Sequence, residues 1–427
     1  MTDAAPGGAE GVRTADVRKT MLWLTLGTVV YLGAQWLLTV VVFQLAGPAA
    51  NGDYTLALSA SSVAYAVVLF GMRPFQISDT RGEYADAVYL ASRAATSLLA
   101  VAAFAVTLPF TAGVGRLWPL LAVFLAFRLT EGWMDVLHGL LQNADRMDRA
   151  GIALLLRAGA ELAVFGGVLA ASGSLLGAAV AMLAVSALVL GLEWRWARPH
   201  LDGVRLASAG GWRRAWGLLL RCAPLLAANL AYSAMLFVPR NAIQAIWGQE
   251  LLGYYGAIAA PLLLVPVLVS YLYTPFLPAL AEHQLSGRPG ALAALAGKLL
   301  GGIAALIAVA FALLPFVGPP VLGVMFGRSV LAHLDLLWPV AASVAATALV
   351  YFGNAVLTAT RRIGVTMIAA IVAFAIVAAS SDFLVHTFGP NGASFALIVG
   401  QLAQAVVLAA GFLVGLRTRG GRGKVVG

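Results

Sequence analysis

Charge is what this chain has least of. Only 11% of its 427 residues are Asp, Glu, Lys or Arg, against 61% hydrophobic. A soluble protein carries roughly 25% charged and about 45–50% apolar residues. With a mean hydropathy of +0.91, the composition excludes a soluble enzyme. Cysteine occurs once, at Cys222, which excludes an internal disulfide and a cysteine-based metal cluster. The five histidines include His200, His283, His333 and His386, scattered at helix ends and loops. No pair of them has metal-ligand spacing, and there is neither a phosphate-binding glycine loop nor an H-E-x-x-H motif, so no metal or cofactor is expected. Acidic residues number 18 against 27 basic ones, a net charge of +9. That excess forms no basic patch, so nucleic acid is not an expected partner. The 46 glycines and 18 prolines suit membrane helices, where both are more frequent than in soluble ones.

What the chain has instead is long apolar runs. A helix needs roughly 20 such residues to cross a bilayer core of about 30 Å. Twelve candidates lie near 21–46, 54–75, 94–114, 117–142, 150–171, 174–194, 216–246, 251–281, 292–317, 333–358, 363–387 and 391–416. They far exceed the roughly 10-residue strands of a membrane barrel, so the expected class is an all-α polytopic membrane protein. The first run is too long for a signal-peptide h-region of about 7–15 residues and reads as a retained anchor. Placing the N-terminus inside puts twenty-one Lys and Arg on inner segments, Arg73 and Arg93 among them, and leaves Arg116 and Arg328 outside. This positive-inside bias predicts a multi-pass protein of the cytoplasmic membrane with both termini cytoplasmic. The expected organisation is a segment 1–20, a six-helix lobe 21–194, a linker 195–215, a second lobe 216–416 and a basic tail 417–427. Ser78 to Arg93 reads as a short surface helix.

The two halves repeat. Gly47, Gly52, Tyr54 and Pro74-Phe75 recur at an offset of 201 as Gly248, Gly253, Tyr255 and Pro275-Phe276. Arg149-Ala150-Gly151-Ile152 echoes Arg362-Ile363-Gly364-Val365, an offset of 213, and Gly177-Ala178-Ala179 echoes Gly392-Ala393-Ser394. The matched places are the expected loop between the first two spans of each half and the starts of the fifth and sixth. Six spans per half is an even number, so the repeat is parallel, about an axis along the membrane normal.

Three stretches carry a family resemblance. They are Gln76-Ile77-Ser78-Asp79 through Glu83-Tyr84; His138-Gly139-Leu140-Leu141-Gln142 through Arg146-Met147 to Arg157; and Val238-Pro239-Arg240-Asn241 with Gly248 through Tyr255 and Pro275 through Ala281. The chain resembles polysaccharide flippases of the multidrug, oligosaccharidyl-lipid and polysaccharide exporter superfamily. The resemblance implies twelve helices in two six-helix lobes around a central cavity. It also implies alternating-access translocation of a polyprenyl-pyrophosphate-linked oligosaccharide for surface polysaccharide biosynthesis. Expected partners are that glycolipid, the bilayer, a glycan polymerase and glycosyltransferases, with a monomeric transporter. Coupling to protons, sodium or membrane potential is left open. A cation-coupled multidrug exporter of the same fold is the alternative, weakened because spans 1 and 7 contain no acid. A membrane ligase or polymerase is a second alternative, weakened by short external loops.

Ionisable residues inside a membrane are expensive, about +2.5–3.5 kcal/mol for Arg or Asp at a helix centre on insertion scales. Span 4 carries Arg128, Glu131, Asp135, His138 and Gln142, which at 100° per residue fall within about 80° of arc. Span 5 adds Arg157 and Glu161, an i,i+4 pair. At the offset of 213 the second-half equivalents of Arg128, Glu131, Asp135 and His138 are Ala341, Val344, Ala348 and Tyr351, so the charges belong to one half. Two readings stand: a salt-bridge network that fixes packing, or a hydrated cavity. In the second, Arg128 attracts an acidic group through its guanidinium fork, and Glu131, Asp135 or Glu161 carries a proton or orients Arg128. Asn229, Tyr232, Ser233 and Arg240 share a face of span 7, with a kink expected at Pro239. Arg240 is a second phosphate-binding candidate or a snorkelling residue. Arg73 is a topology anchor or a headgroup contact, and Gln35 a sugar or interhelical contact.

Overall fold

The structure, a computed structural model, describes residues 7–79, 83–201, 209–262 and 265–420; the ends of the chain at 1–6 and 421–427, and part of the expected linker at 202–208, lie outside them. Among the described residues every regular element is helical. Among the described residues nine helices are long and apolar enough to cross a membrane. Two of these each contain one glycine break that divides them into two spans. The helix Val114–Asn143 adds another span, disguised by Arg128, Glu131 and Asp135. The result is a twelve-helix, multi-pass membrane fold in two six-helix halves.

Gly7–Leu69 breaks at Gly47 into α1 (7–46) and α2 (48–69). Then follow α3 (Asp86–Thr107), α4 (Val114–Asn143), α5 (Met147–Ser172) and α6 (Leu175–Ala197). Ala209–Leu262 breaks at Gly248 into α7 (209–247) and α8 (249–262), whose path continues in Val265–Tyr273. The rest are α9 (Pro289–Phe326), α10 (Leu337–Ala359), α11 (Ile363–Phe388) and α12 (Asn391–Gly420). The chain clusters into two compact units. Unit 1 holds the chain up to Leu45, Ala64–Phe110 and Val114–Leu226; unit 2 holds Ala46–Val63, Thr111–Gly113 and Ala227 onward.

The repeat is written in the backbone. Gly47 has φ 82, ψ 176 and Gly248 has φ 86, ψ 176, a region open essentially to glycine alone. The expected loops at these places are therefore single-residue breaks, and Pro48 starts α2 where a missing N–H costs nothing. The later turns match as well. Arg146 N–H donates to Leu141 O and Arg362 N–H to Leu357 O, both at 2.8 Å. Asp145 (φ 56) and Arg361 (φ 60) are the left-handed residues beside them. These pairs are 216 apart, as are the limits of α5 and α11, so the sequence offset of 213 was three residues short. At 216, the partners of Glu131, Asp135 and His138 are Thr347, Tyr351 and Asn354. The second half thus carries a neutral polar stripe where the first carries charge.

A further expectation is corrected. Among the described residues of Ser78–Arg93, which leave out 80–82, no separate surface helix occurs: the short helix is Met72–Ser78, and α3 already begins at Asp86. Arg93 is consequently 1% exposed in the second turn of α3. Its charge, with Asp86, masked the helical pattern. At Pro239 the helix continues without a break, for the non-helical residue of that long helix is Gly248; membrane helices absorb proline by local adjustment.

Candidate functional site

In unit 1, close backbone approach sets the site. A Cβ on Gly27 of α1 would collide with the carbonyl of Gly151, and one on Gly151 of α5 with the carbonyl of Trp23. Small residues let membrane helices approach this closely. Tyr31 and Gln35 continue the Gly27 face at four-residue spacing and meet the charges. Tyr31 Oη donates to Glu131 Oε1 at 2.6 Å, and Gln35 Nε2 to Glu161 Oε2 at 2.9 Å. Arg157 links the two carboxylates, through Nε to Glu161 at 2.6 Å and a terminal nitrogen to Glu131 at 3.1 Å. Arg128 holds the other Glu131 oxygen at 2.5 Å. The guanidinium of Arg157 sits 4.7 Å from the Tyr31 ring centre and 4.8 Å from that of Phe127; that of Arg128 lies 5.1 Å from Tyr65. Two guanidiniums face two carboxylates on α4 and α5, and α1 clasps both acids.

The lower stripe of α4 goes elsewhere. Asp135 is held by Arg93 at 2.7 Å and Arg73 at 3.1 Å. Arg93 also donates to the Val68 carbonyl, and Arg73 reaches the Gln142 side chain at 3.2 Å. His138 Nε2 lies 2.8 Å from Oε1 of Glu193 on α6, a residue 1% exposed. One face of α4 therefore serves three clusters stacked along it, reaching α1 and α5, then α2 and α3, then α6. Glu131, Arg157 and Glu161 are buried at 7%, 3% and 1% exposure, closed on one another; Arg128 retains 15% of its side-chain exposure. Arg128 and Glu161 are bridged by Glu131 and Arg157. Tyr31, Tyr65, Arg93 and Glu193 are the participants that the sequence did not nominate.

Unit 2 contains a different kind of site. Tyr232 and Arg240 of α7, Tyr255 of α8, and Ser343, Thr347 and Tyr351 of α10 line one small pocket. Tyr351 Oη donates to Tyr232 Oη at 3.0 Å. Gln401 Nε2 donates to Thr347 Oγ1 at 2.6 Å, and the hydroxyls of Tyr255 and Ser394 lie 3.2 Å apart. Asn229 does not line this pocket.

No protein-family model matches the chain, and no curated protein does. Solved structures do. One is described as the inward-facing conformation of a multidrug resistance MATE family transporter of the MOP superfamily; it is 15% identical, covers 96% of this chain and 100% of its own, with a TM-score of 0.70. The outward-facing conformation of such a transporter is 16% identical over 96% of both chains, TM-score 0.58. A MOP superfamily transporter from Pyrococcus furiosus, described as having a binding pocket of reversed polarity that suggests a different function, is 16% identical over 96% of both chains, TM-score 0.56. At these identities the likeness fixes the fold, which this chain shares along nearly its whole length.

Proposed function

We propose that the protein is a membrane exporter that works by alternating access and is coupled to a cation, of the kind that carries amphipathic drugs. The observation that carries this reading is the likeness over 96% of the chain to multidrug transporters described in both inward-facing and outward-facing conformations. The weakness of the exporter reading at the sequence level was a first span, 21–46, without acids. Tyr31 and Gln35 of α1 hydrogen-bond to Glu131 and Glu161, so α1 meets carboxylates that its neighbours supply. A proton or sodium ion taken up by Glu161 or Glu131 weakens the grip of Arg157, and α1, α4 and α5 then repack; this is the coupling step in our reading. Purified protein in proteoliposomes should extrude a lipophilic cation such as ethidium when a proton or sodium gradient is imposed. Glu161→Gln should abolish that extrusion at unchanged membrane abundance. Absence of gradient-driven transport in the wild type defeats the proposal.

Polysaccharide-lipid translocation is the second reading. The family resemblance of the three sequence stretches and the cationic pocket at Arg240 favour it, as does the likeness to the Pyrococcus structure, whose reversed pocket polarity is described as suggesting a different function. In a deletion strain this reading requires accumulation of lipid-linked sugar and loss of surface glycan, and Arg128 and Arg240 become the contacts to pyrophosphate. Normal surface glycan without such an intermediate removes it. Both readings place the termini on the cytoplasmic side.

A further inference from the structure

We infer that a groove within unit 2, between α9, α10 and α12, holds one acyl chain of an anionic phospholipid. The groove has a volume of about 410 Å³, and among the described residues its lining is Ala, Gly, Leu, Val and Phe alone. The lining runs from 293 to 300 on α9, from 349 to 357 on α10 and from 405 to 412 on α12. At 1.5 Å per residue that gives about 10–12 Å of length, most of the roughly 15 Å that one leaflet of a bilayer offers to hydrocarbon. Phe352 and Leu408 of the lining are buried, whereas Gly297, Leu300 and Ala409 are exposed. An apolar cavity stays dry, and only 6% of the most apolar stretch of α9 is buried. The space therefore opens to lipid rather than to water.

The internal repeat makes the groove particular to unit 2. At the offset of 216, Leu349 and Gly353 of α10 stand where α4 has Trp133 and Leu137. Between α6 and α12 the offset is 215: Gly177 matches Gly392, and the buried Ser186, Val189 and Glu193 match the buried Gln401, Gln404 and Leu408. That offset pairs Trp194 with Ala409. In unit 1 the rings of Trp133 and Trp194 pack edge to face, 6.4 Å between centres. Two indoles plug the place in one unit; a leucine and an alanine leave it open in the other. A void forfeits the dispersion contacts of its walls, and an acyl chain restores them. The charge at one end of the groove selects the headgroup. The groove lies near the start of α9 and the ends of α10 and α12. There α9 begins just after Arg288, Arg361 and Arg362 follow α10, and the last turn of α12 carries Arg417 and Arg419. The one acid of the adjoining segments is Glu282, in the short helix Leu277–Leu285. Clustered arginines beside membrane spans attract anionic lipid. This inference stands whichever cargo the exporter carries.

The test is native mass spectrometry of the purified full-length protein in detergent, titrated with palmitoyl-oleoyl phosphatidylglycerol or with the matching phosphatidylcholine. The expected result is one phosphatidylglycerol bound at least tenfold more tightly than further copies and than phosphatidylcholine. Leu349→Trp combined with Ala409→Trp, which transfers the plug of unit 1, should weaken that first binding at least tenfold. Gly297→Leu should do the same from the other wall, at a glycine where a Cβ meets nothing within 4 Å; it keeps the test open if the tryptophan pair fails to elute as a monodisperse peak. Gly33→Leu, at an equally open glycine of α1, should leave the binding unchanged. Arg288→Gln combined with Arg361→Gln should bring the phosphatidylglycerol affinity down to that of phosphatidylcholine. Equal affinity of the wild type for the two lipids, or a first binding unchanged when the groove is filled, overturns the inference. So does a dimer that the filled variants abolish and lipid leaves intact, for a second copy would then cover the groove. Transport is not part of the readout, so failure of the exporter reading leaves this result standing.

Discussion

Glu131 is the residue on which the charged cluster of unit 1 turns, because it accepts from Tyr31, Arg128 and Arg157 at once. Removing one member of a buried ion pair leaves an uncompensated charge, typically about 3–5 kcal/mol of destabilisation. Glu131→Gln should lower thermal stability of the purified protein by that order. Asp135→Asn should do the same, since it strands Arg93, which is 1% exposed. Replacing a whole pair with apolar residues is often neutral. The double variant Arg157→Met with Glu161→Leu should therefore unfold at a higher temperature than either single variant, and still fail to transport. Recovery of both stability and transport would make the cluster packing alone. The sequence exposed the α4 stripe through its spacing, but not its partners. Arg93 reads in the sequence as the end of a surface helix, and Tyr31 and Glu193 are ordinary at their positions; their roles come from helices brought together across 42 to 100 residues.

Among the elements, the paired breaks deserve the closest test. In unit 2 the chain around the first break packs on the chain around the second, reciprocally. A Cβ on Gly52 would strike the Gln249 carbonyl, and one on Gly253 the Pro48 carbonyl. Those are the same two positions exchanged at the offset of 201, so each half presents one surface to its own image. Asn51 Nδ2 adds a bond to Gly253 O at 2.8 Å. Gly52→Val and Gly253→Val should each abolish folding, read as loss of the monodisperse peak in fluorescence-detected size-exclusion chromatography. Gly33→Ala, where a Cβ meets nothing, should leave the peak unchanged. Gly47→Ala, at φ 82, should cost about 1–3 kcal/mol. The glycines were legible because backbone contact tolerates no other residue. The later register was not, because the turn before α5 is defined by hydrogen bonds whose residues differ: Asp145 in one half, Arg361 in the other.

For the whole molecule, number and class of helices followed from apolar length, and the parallel repeat from glycine spacing. Charge hid the start of α3, and glycine breaks one residue long passed for loops. The account's central claim is that the two halves move against each other to carry cargo. Cys222, buried and alone, makes a cysteine-free background simple through Cys222→Ala. Spin labels at Arg116→Cys in unit 1 and Arg328→Cys in unit 2, both exposed positions, report the relevant separation by pulsed electron resonance in nanodiscs. The account predicts two distance populations whose proportions shift when ethidium is added or the pH is changed, and a frozen proportion in Glu161→Gln. A single narrow population, the same with and without cargo and at every pH, would contradict it.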